Sequence, residues 1–413
     1  MSGLYRWSKR GAWAVLDQGL FALTNFVVSI WLARVLSRAD YGLFALGYTL
    51  LLLVGAFFLG LLGEPISVFG SGKYRDRFGE YLAATLVGWL LGAVFLTLLF
   101  AAGATVLSLT DAAEFAEVAL VVGLVAPLVA LLRTLRMCSY ACWRPHLAAL
   151  ASAIHLLAVL AVIVLVPGVA VSPTAGFLAL AVGVIPAAAI LLRALALKAP
   201  WTVSREFYGQ VYRDHIGFGR WSVGANLLLW VPGNAVYFLL TSWSGVEATG
   251  VLKALRTLTT PILHAVQALT SVLMPKLVQA RGTPLHRRVL RMGMFAFVSV
   301  ALAYWLAIVV AGRPLLTLAF AGGYDSFSAH LSVLAFGPVI GAVVAVLGAT
   351  LRSMERPRDV FVGNAVAAFC TLTVGATLIG HLQLVGAIIT VVATPAAAAL
   401  TLALLKRRSH AAA

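Results

Sequence analysis

The sequence predicts an all-α polytopic membrane protein of about twelve transmembrane helices, and three observations predict it. Hydrophobic residues fill 62% of the 413 positions and charged residues only 11%. A soluble domain carries roughly a quarter charged residues, so this surface cannot face water everywhere. The apolar residues form continuous Leu-, Ala- and Val-rich runs of about 20 residues, the length that crosses a bilayer. They lack the period-two alternation of a barrel strand, and an α-helix satisfies its backbone groups within one segment in lipid. Basic residues, finally, alternate in step with the runs.

The runs place spans at 12–36, 42–64, 82–108, 118–137, 147–167, 174–195, 216–240, 250–274, 291–311, 331–351, 360–379 and 383–405. The first follows a basic stretch (Arg6, Lys9, Arg10) and is too long for a signal-peptide core, so it reads as an uncleaved helix. Leu4 and Trp7 fit a short interfacial helix ahead of it. Connections are short. The longest, Ala196–His215 and Gly312–His330, have no room for a soluble domain.

Alternate connections and both termini hold 25 of the 30 Lys and Arg, from Arg6, Lys9 and Arg10 through Lys73, Arg75 and Arg77 to Lys406, Arg407 and Arg408. The opposite side has Arg34, Arg38 and Arg313 beside Asp111, Glu114, Glu117, Glu247 and Asp325. This bias places both termini and the 196–215 connection in the cytoplasm. It also accounts for the net charge of +16, which in a soluble chain would suggest nucleic acid. Three cysteines make no disulfide framework. Cys138, Cys142 and His146 share a helical face, but Pro145 ends that helix and no carboxylate is near, so neither metal nor cofactor is implied.

A weak internal repeat divides the chain. Gly42-Leu43-Phe44-Ala45-Leu46 opens the second span, and Gly250-Val251-Leu252-Lys253-Ala254-Leu255 opens the eighth, each after a short loop carrying an acid, Asp40 or Glu247. The offset puts a six-helix lobe at 1–195, a cytoplasmic linker at 196–215 and a second lobe at 216–413. Six is even, so the lobes enter the membrane alike and are related by a pseudo-two-fold axis along its normal. Transporters built this way carry a substrate path between their halves.

The run Gln18-Gly19-Leu20, Thr24-Asn25-Phe26, Leu32-Ala33-Arg34-Val35-Leu36 and Tyr41-Gly42-Leu43-Phe44 resembles the polysaccharide flippases of the multidrug/oligosaccharidyl-lipid/polysaccharide (MOP) exporter superfamily. The resemblance implies a MATE-like fold and an O-antigen-type cargo, an undecaprenyl-pyrophosphate-linked oligosaccharide carried to the periplasmic leaflet of a bacterial inner membrane. It implies as partners the lipid-linked glycan, the bilayer and downstream polymerase and export machinery, with no nucleic acid. It carries over no single motif, so candidate residues come from physical chemistry.

Lys253 and Arg256 give the sharpest signal, because a cation inside a membrane helix faces a cavity or a partner. Lys253, Arg256, Thr257, Thr260, His264, Gln267 and Ser271 recur at spacings of three and four, a polar stripe suited to a pyrophosphate or acidic sugar. The competing reading has Lys253 reaching the interface and Arg256 paired with a structural acid. Asn25 and Asn234 are possible counterparts in the two lobes; interhelical hydrogen bonding is the competing role. Arg133 and Arg136 sit where they would attract an incoming pyrophosphate, although cytoplasmic bias alone explains them. Asp17 and Glu64 are the intramembrane acids suited to ion coupling. Against that, Asp17 has a basic loop in reach, and Glu64 has Lys73 or Arg75. Gly341 and Gly348 propose a close helix seam.

A cation-coupled multidrug exporter of the same superfamily would be expected to bury more acids in its cavity. A glycan polymerase or ligase would need a sizeable outer loop with acid/base groups. The sequence has neither, and no paired-carboxylate or Ser/His arrangement indicates an enzyme.

Overall fold

A computed structural model describes residues 2–110, 112–165, 171–195 and 198–411, with the side chains of 2–10, 200, 271 and 408–411 outside the description. Asp111 and Ala196, and the side chains of Leu4, Arg6, Trp7, Lys9, Arg10, Ser271 and Arg408, named above, therefore lie outside the described set. The described residues are predominantly helical, joined by short turns, and contain no strand. Ten helical runs are long and apolar enough to cross a membrane.

Two of those runs are too long to be single helices. Arg205–Gln279 has 75 residues, which as one straight helix would span about 110 Å. The hydrocarbon core is about 30 Å thick. Gly245 breaks the run with φ 76° and ψ 177°, a conformation that only glycine adopts without strain. Gln383, at φ 50° and ψ −125°, similarly divides the 51-residue run Pro357–Arg407. Each break makes two helices of one run, and the described residues thus hold the twelve spans read from the sequence.

We number them α1 (Ser2–Val35), α2 (Arg38–Gly70), α3 (Phe78–Leu107), α4 (Ala113–Ala141), α5 (Pro145–Leu165) and α6 (Ala175–Ala194). They continue as α7 (205–244), α8 (246–279), α9 (Leu285–Phe320), α10 (Asp325–Ser353), α11 (357–382) and α12 (384–411). Local chemistry sets several ends. Pro145 opens α5 three residues after Cys142 caps α4, since proline suits a first helical turn and ends a preceding one. In α2, Pro65 cannot donate to the turn before it, and the helix widens into π turns at Leu59–Gly63 and Ile66–Gly70 on either side.

The chain forms two compact units. The first comprises Met1–Leu36 and Leu43–Leu227, the second Ser37–Gly42 and Leu228–Ala413. In the first, α1 lies along α5 and α4 packs against α3 and α6. Glycines permit this approach: a methyl on Gly176 would meet Leu32 at 2.5 Å, and one on Gly47 would meet Val118 at the same distance. In the second unit Ile262, Leu273, Leu277, Phe297, Ala342 and Val346 join α8, α9 and α10 in one core. The seam proposed at Gly341 and Gly348 is not where backbones meet. A methyl on Gly341 would have nothing within 4 Å, and one on Gly348 would touch only the Arg352 and Val360 side chains. Close approach occurs instead at Gly42, Gly250, Gly60 and Gly386.

Large apolar side chains cover the outer faces. Leu90, Leu91, Val94, Phe95, Leu98 and Leu99 of α3 are exposed, as are Val310 and Leu318 of α9. In water such a face would drive aggregation, whereas in a bilayer it meets acyl chains. The protein is a multi-pass membrane protein.

Candidate functional site

The first unit encloses a cavity of about 100 Å³ between α1, α2 and α4, lined among others by Gln18, Phe21, Gly55, Arg133, Arg136 and Tyr140. Three of these come from one face of α4, because residues 133, 136 and 140 are spaced by three and four along the helix. That volume admits several waters and falls far short of an oligosaccharide.

Beside the cavity lies a buried charge cluster. Asp17 of α1 has no exposure, and Arg136 approaches it as a fork: Nε donates to Oδ1 at 2.9 Å and Nη2 to Oδ2 at 2.7 Å. Ser152 of α5 donates to Oδ1 at 2.6 Å, and the Tyr140 hydroxyl donates to Oδ2. Phe21 closes one side, its ring centroid 4.2 Å from the Arg136 guanidinium carbon. A buried carboxylate needs partners of this kind to remain charged. Asp17 therefore pairs with a helix residue and not with the basic loop read from the sequence, because three helices converge on it. Arg136 is correspondingly committed to Asp17.

Arg133 is placed differently. It is half-buried at the cavity wall, its guanidinium 5.6 Å from the Phe21 ring and close to the smooth face left by Gly55, where a methyl would stand 2.9 Å from Nη1. No acid forms an ion pair with it among the described residues. With Asp17 balanced by Arg136, the cavity carries the uncompensated charge of Arg133.

Glu64 lies between the two π turns of α2, partly buried. Its carboxylate accepts hydrogen bonds from the Ser222 hydroxyl and from Asn226 Nδ2, the latter at 3.0 Å, both on α7. The alternative of Lys73 or Arg75 as its partner does not hold. Lys73 Nζ bonds Asp214 at 2.6 Å instead, while the backbones at Gly60 and Val223 approach so closely that α7 covers Glu64.

In the second unit Lys253 and Thr257 are buried and Arg256 is half-buried. Arg256 donates to the Gly233 carbonyl, and its guanidinium sits 5.2 Å from the Tyr237 ring centroid. No structural acid pairs with it among the described residues, which removes that competing reading. The stripe is graded: Thr260 is half-buried and donates to the Arg256 carbonyl at 3.1 Å, while His264 and Gln267 are exposed. Asn25 and Asn234 each donate a side-chain N–H to the carbonyl four residues earlier, Phe21 at 2.9 Å and Trp230 at 2.8 Å. Those donors serve their own helices and not an interhelical bond.

The structure thus gathers Asp17, Arg133 and Arg136 around one cavity and sets Lys253 beside Arg256 on another helix. The side-chain hydrogen bonds of Glu64, Asn25 and Asn234 described above go to Ser222 and Asn226, to Phe21 and to Trp230, and not to the charged residues of either group. Tyr140 and Ser152 were not anticipated. Tyr140 was recoverable from its spacing with Arg133 and Arg136; Ser152 carries no sequence signal.

The family model for polysaccharide biosynthesis protein matches residues 31–311, more than half of the chain. No curated protein matches it at a significant level. Solved structures share its fold at low identity. A multidrug-resistance MATE transporter of the MOP superfamily, inward-facing, has a TM-score of 0.76 at 15% identity over 96% of this chain and 98% of the other. The lipid II flippase MurJ, inward closed, has 0.76 at 10% over 95% and 87%. A MOP superfamily transporter from Pyrococcus furiosus, described as having a binding pocket of reverse polarity, has 0.65 at 15% over 97% and 94%. These likenesses agree with the resemblance seen in Gln18–Phe44. The chain belongs to the polysaccharide biosynthesis protein family and has the fold of the MOP-superfamily transporters.

Proposed function

We propose that this protein is a flippase for a lipid-linked, pyrophosphate-bearing oligosaccharide. It moves undecaprenyl-pyrophosphate glycan from the cytoplasmic to the periplasmic leaflet of a bacterial inner membrane by alternating access, with the six-helix lobes 1–195 and 216–413 as moving bodies. Downstream polymerisation and export machinery would take up the flipped glycan. Cell-surface polysaccharide assembly, including O-antigen or exopolysaccharide, is the process such a carrier serves.

The observation that carries this reading is Arg133, a half-buried cation that has no acid partner among the described residues and stands on a mostly apolar cavity wall. A guanidinium binds phosphate oxygens through a planar fork, and a pyrophosphate supplies the matching anion. Within the second unit Lys253 and Arg256 would offer the cargo a cationic group of their own, with Thr260, His264 and Gln267 as hydroxyl, imidazole and amide partners further along α8. Arg136 would hold the cavity's shape through Asp17. Glu64 is our coupling candidate, because its partners are neutral. Asn25 and Asn234 would offer side-chain amides to sugar hydroxyls.

The test is the leaflet distribution of lipid-linked glycan in cells lacking the gene. Glycan held on the inner leaflet, released to the outer leaflet by the restored gene, is the expected result. An unchanged distribution, with cells instead becoming sensitive to cationic drugs, would point to an exporter and end the proposal.

A further inference from the structure

A second cationic site lies in the second unit, away from the residues above. His286, Arg287, Leu290 and Arg291 of the first turns of α9 and Lys406 of the last turns of α12 line a cleft of about 430 Å³. Four of the five lining residues are basic and none is acidic. The cleft is of the size that takes small ligands. Inside it the His286 ring is only half satisfied. Nδ1 faces the Leu277 carbonyl at 3.4 Å, while Nε2 is buried without a hydrogen-bond partner among the described residues.

Positive-inside bias explains why this side is basic, but not why cations from two distant helices converge on one cleft. Like charges so placed repel, and an anion between them reverses the sign of the interaction. Beyond the cleft, Met292 and Phe295 are exposed on α9, an apolar surface that would continue from a polar head to its acyl chains. Basic clefts between membrane helices on the cytoplasmic side suit acidic headgroups.

We propose that this cleft binds the phosphate headgroup of an acidic phospholipid in the leaflet it faces, with Arg287 and Arg291 holding the phosphate oxygens and Lys406 forming part of the opposite wall. The same chemistry is found in the cargo's pyrophosphate. The lipid is the chosen occupant because the apolar continuation on α9 opens to the bilayer. The assignment does not depend on the transport proposal.

The experiment is native mass spectrometry of the full-length protein in detergent with equal phosphatidylglycerol and phosphatidylcholine. Wild type should retain phosphatidylglycerol preferentially. Arg287→Gln with Arg291→Gln should weaken that retention about ten-fold or more, two surface cations being removed. Arg352→Gln with Arg358→Gln, which removes equal charge from exposed positions outside the cleft, should leave it unchanged. Equal losses in both double variants would mean that net charge alone attracts the lipid, and overturn the site. So would unchanged retention in the cleft variant, provided both variants unfold at the wild-type temperature. Inorganic pyrophosphate is the second probe: displacement of phosphatidylglycerol by micromolar pyrophosphate would assign the cleft to the cargo instead.

Discussion

Gly42 and Gly250 stand backbone against backbone within the second unit. A methyl on Gly42 would lie 1.9 Å from the Val246 carbonyl oxygen, and one on Gly250 would lie 2.1 Å from that of Arg38. These are the residues that open the two similar segments of the sequence, so a single joint uses the same small residue from each. Arg38 secures it, with Nη2 donating to the Gly323 carbonyl at 2.9 Å, Nη1 to Glu247 at 3.3 Å and its guanidinium 5.4 Å from the Phe327 ring.

Backbone carbonyls cannot swing aside as a side-chain tip can, so Gly250→Ala should lower stability by about 1–3 kcal/mol or more, the cost of overpacking. Gly341→Ala, with open space around it, should change little. Thermal unfolding of the detergent-purified variants separates the two; equal unfolding temperatures would refute the joint.

Arg136 and Asp17 form a buried pair, and removing one partner leaves an uncompensated charge. Arg136→Ala should cost about 3–5 kcal/mol, and Asp17→Asn with Arg136→Met should recover much of it. The check is yield and unfolding temperature of both. If the double variant proves no more stable than Arg136→Ala, the pair has not been isolated.

Lys253 and Arg256 share one turn region of α8, and Arg256 is fixed by Gly233 and Tyr237. Lys253→Glu with Arg256→Glu should abolish glycan export while membrane levels of the protein stay normal. Arg256→Lys, which keeps charge but loses the planar fork, should lose export in part. Export unaffected at normal expression would remove both residues from the cargo path.

Arg281 donates to Glu355 at 2.5 Å across two exposed connections, and that bond holds the Glu355 carboxyl below its ordinary 4.5. A carboxyl depressed in the folded state contributes stability above its unfolded value and loses it as pH falls through the folded one. The contribution is therefore constant around neutrality and declines as pH falls below about 4.5. Wild type and Glu355→Gln should differ slightly at neutral pH, converge on acidification, and converge also in high salt. Unfolding temperatures across pH provide the measurement; a difference that grows with acid would reverse the sign.

The sequence made the spans legible because hydropathy and charge bias report the bilayer directly. The boundary between α4 and α5 followed from a residue visible in advance, Pro145. Gly245 and Gln383 were not distinguishable from other loop residues, since only their dihedrals mark the breaks. At the site, Arg133 and Arg136 are equivalent in sequence and opposite in use. Arg136 meets Asp17, 119 residues away, whereas Arg133 faces the cavity, and only tertiary placement separates the two. The partners of Glu64 were misread for a related reason. Lys73 is near in sequence, but Ser222 and Asn226 arrive from α7 through the close approach at Gly60.

The central claim is that Arg133 meets an anionic cargo. Purified protein in proteoliposomes, assayed for transbilayer movement of a polyprenyl-pyrophosphate oligosaccharide, tests it directly. A charge-assisted contact contributes about 1.5–3 kcal/mol, so Arg133→Gln should slow translocation by roughly ten-fold to a hundred-fold at unchanged unfolding temperature. Wild-type rates in Arg133→Gln, or equal transport of a glycolipid lacking the pyrophosphate, would contradict the account.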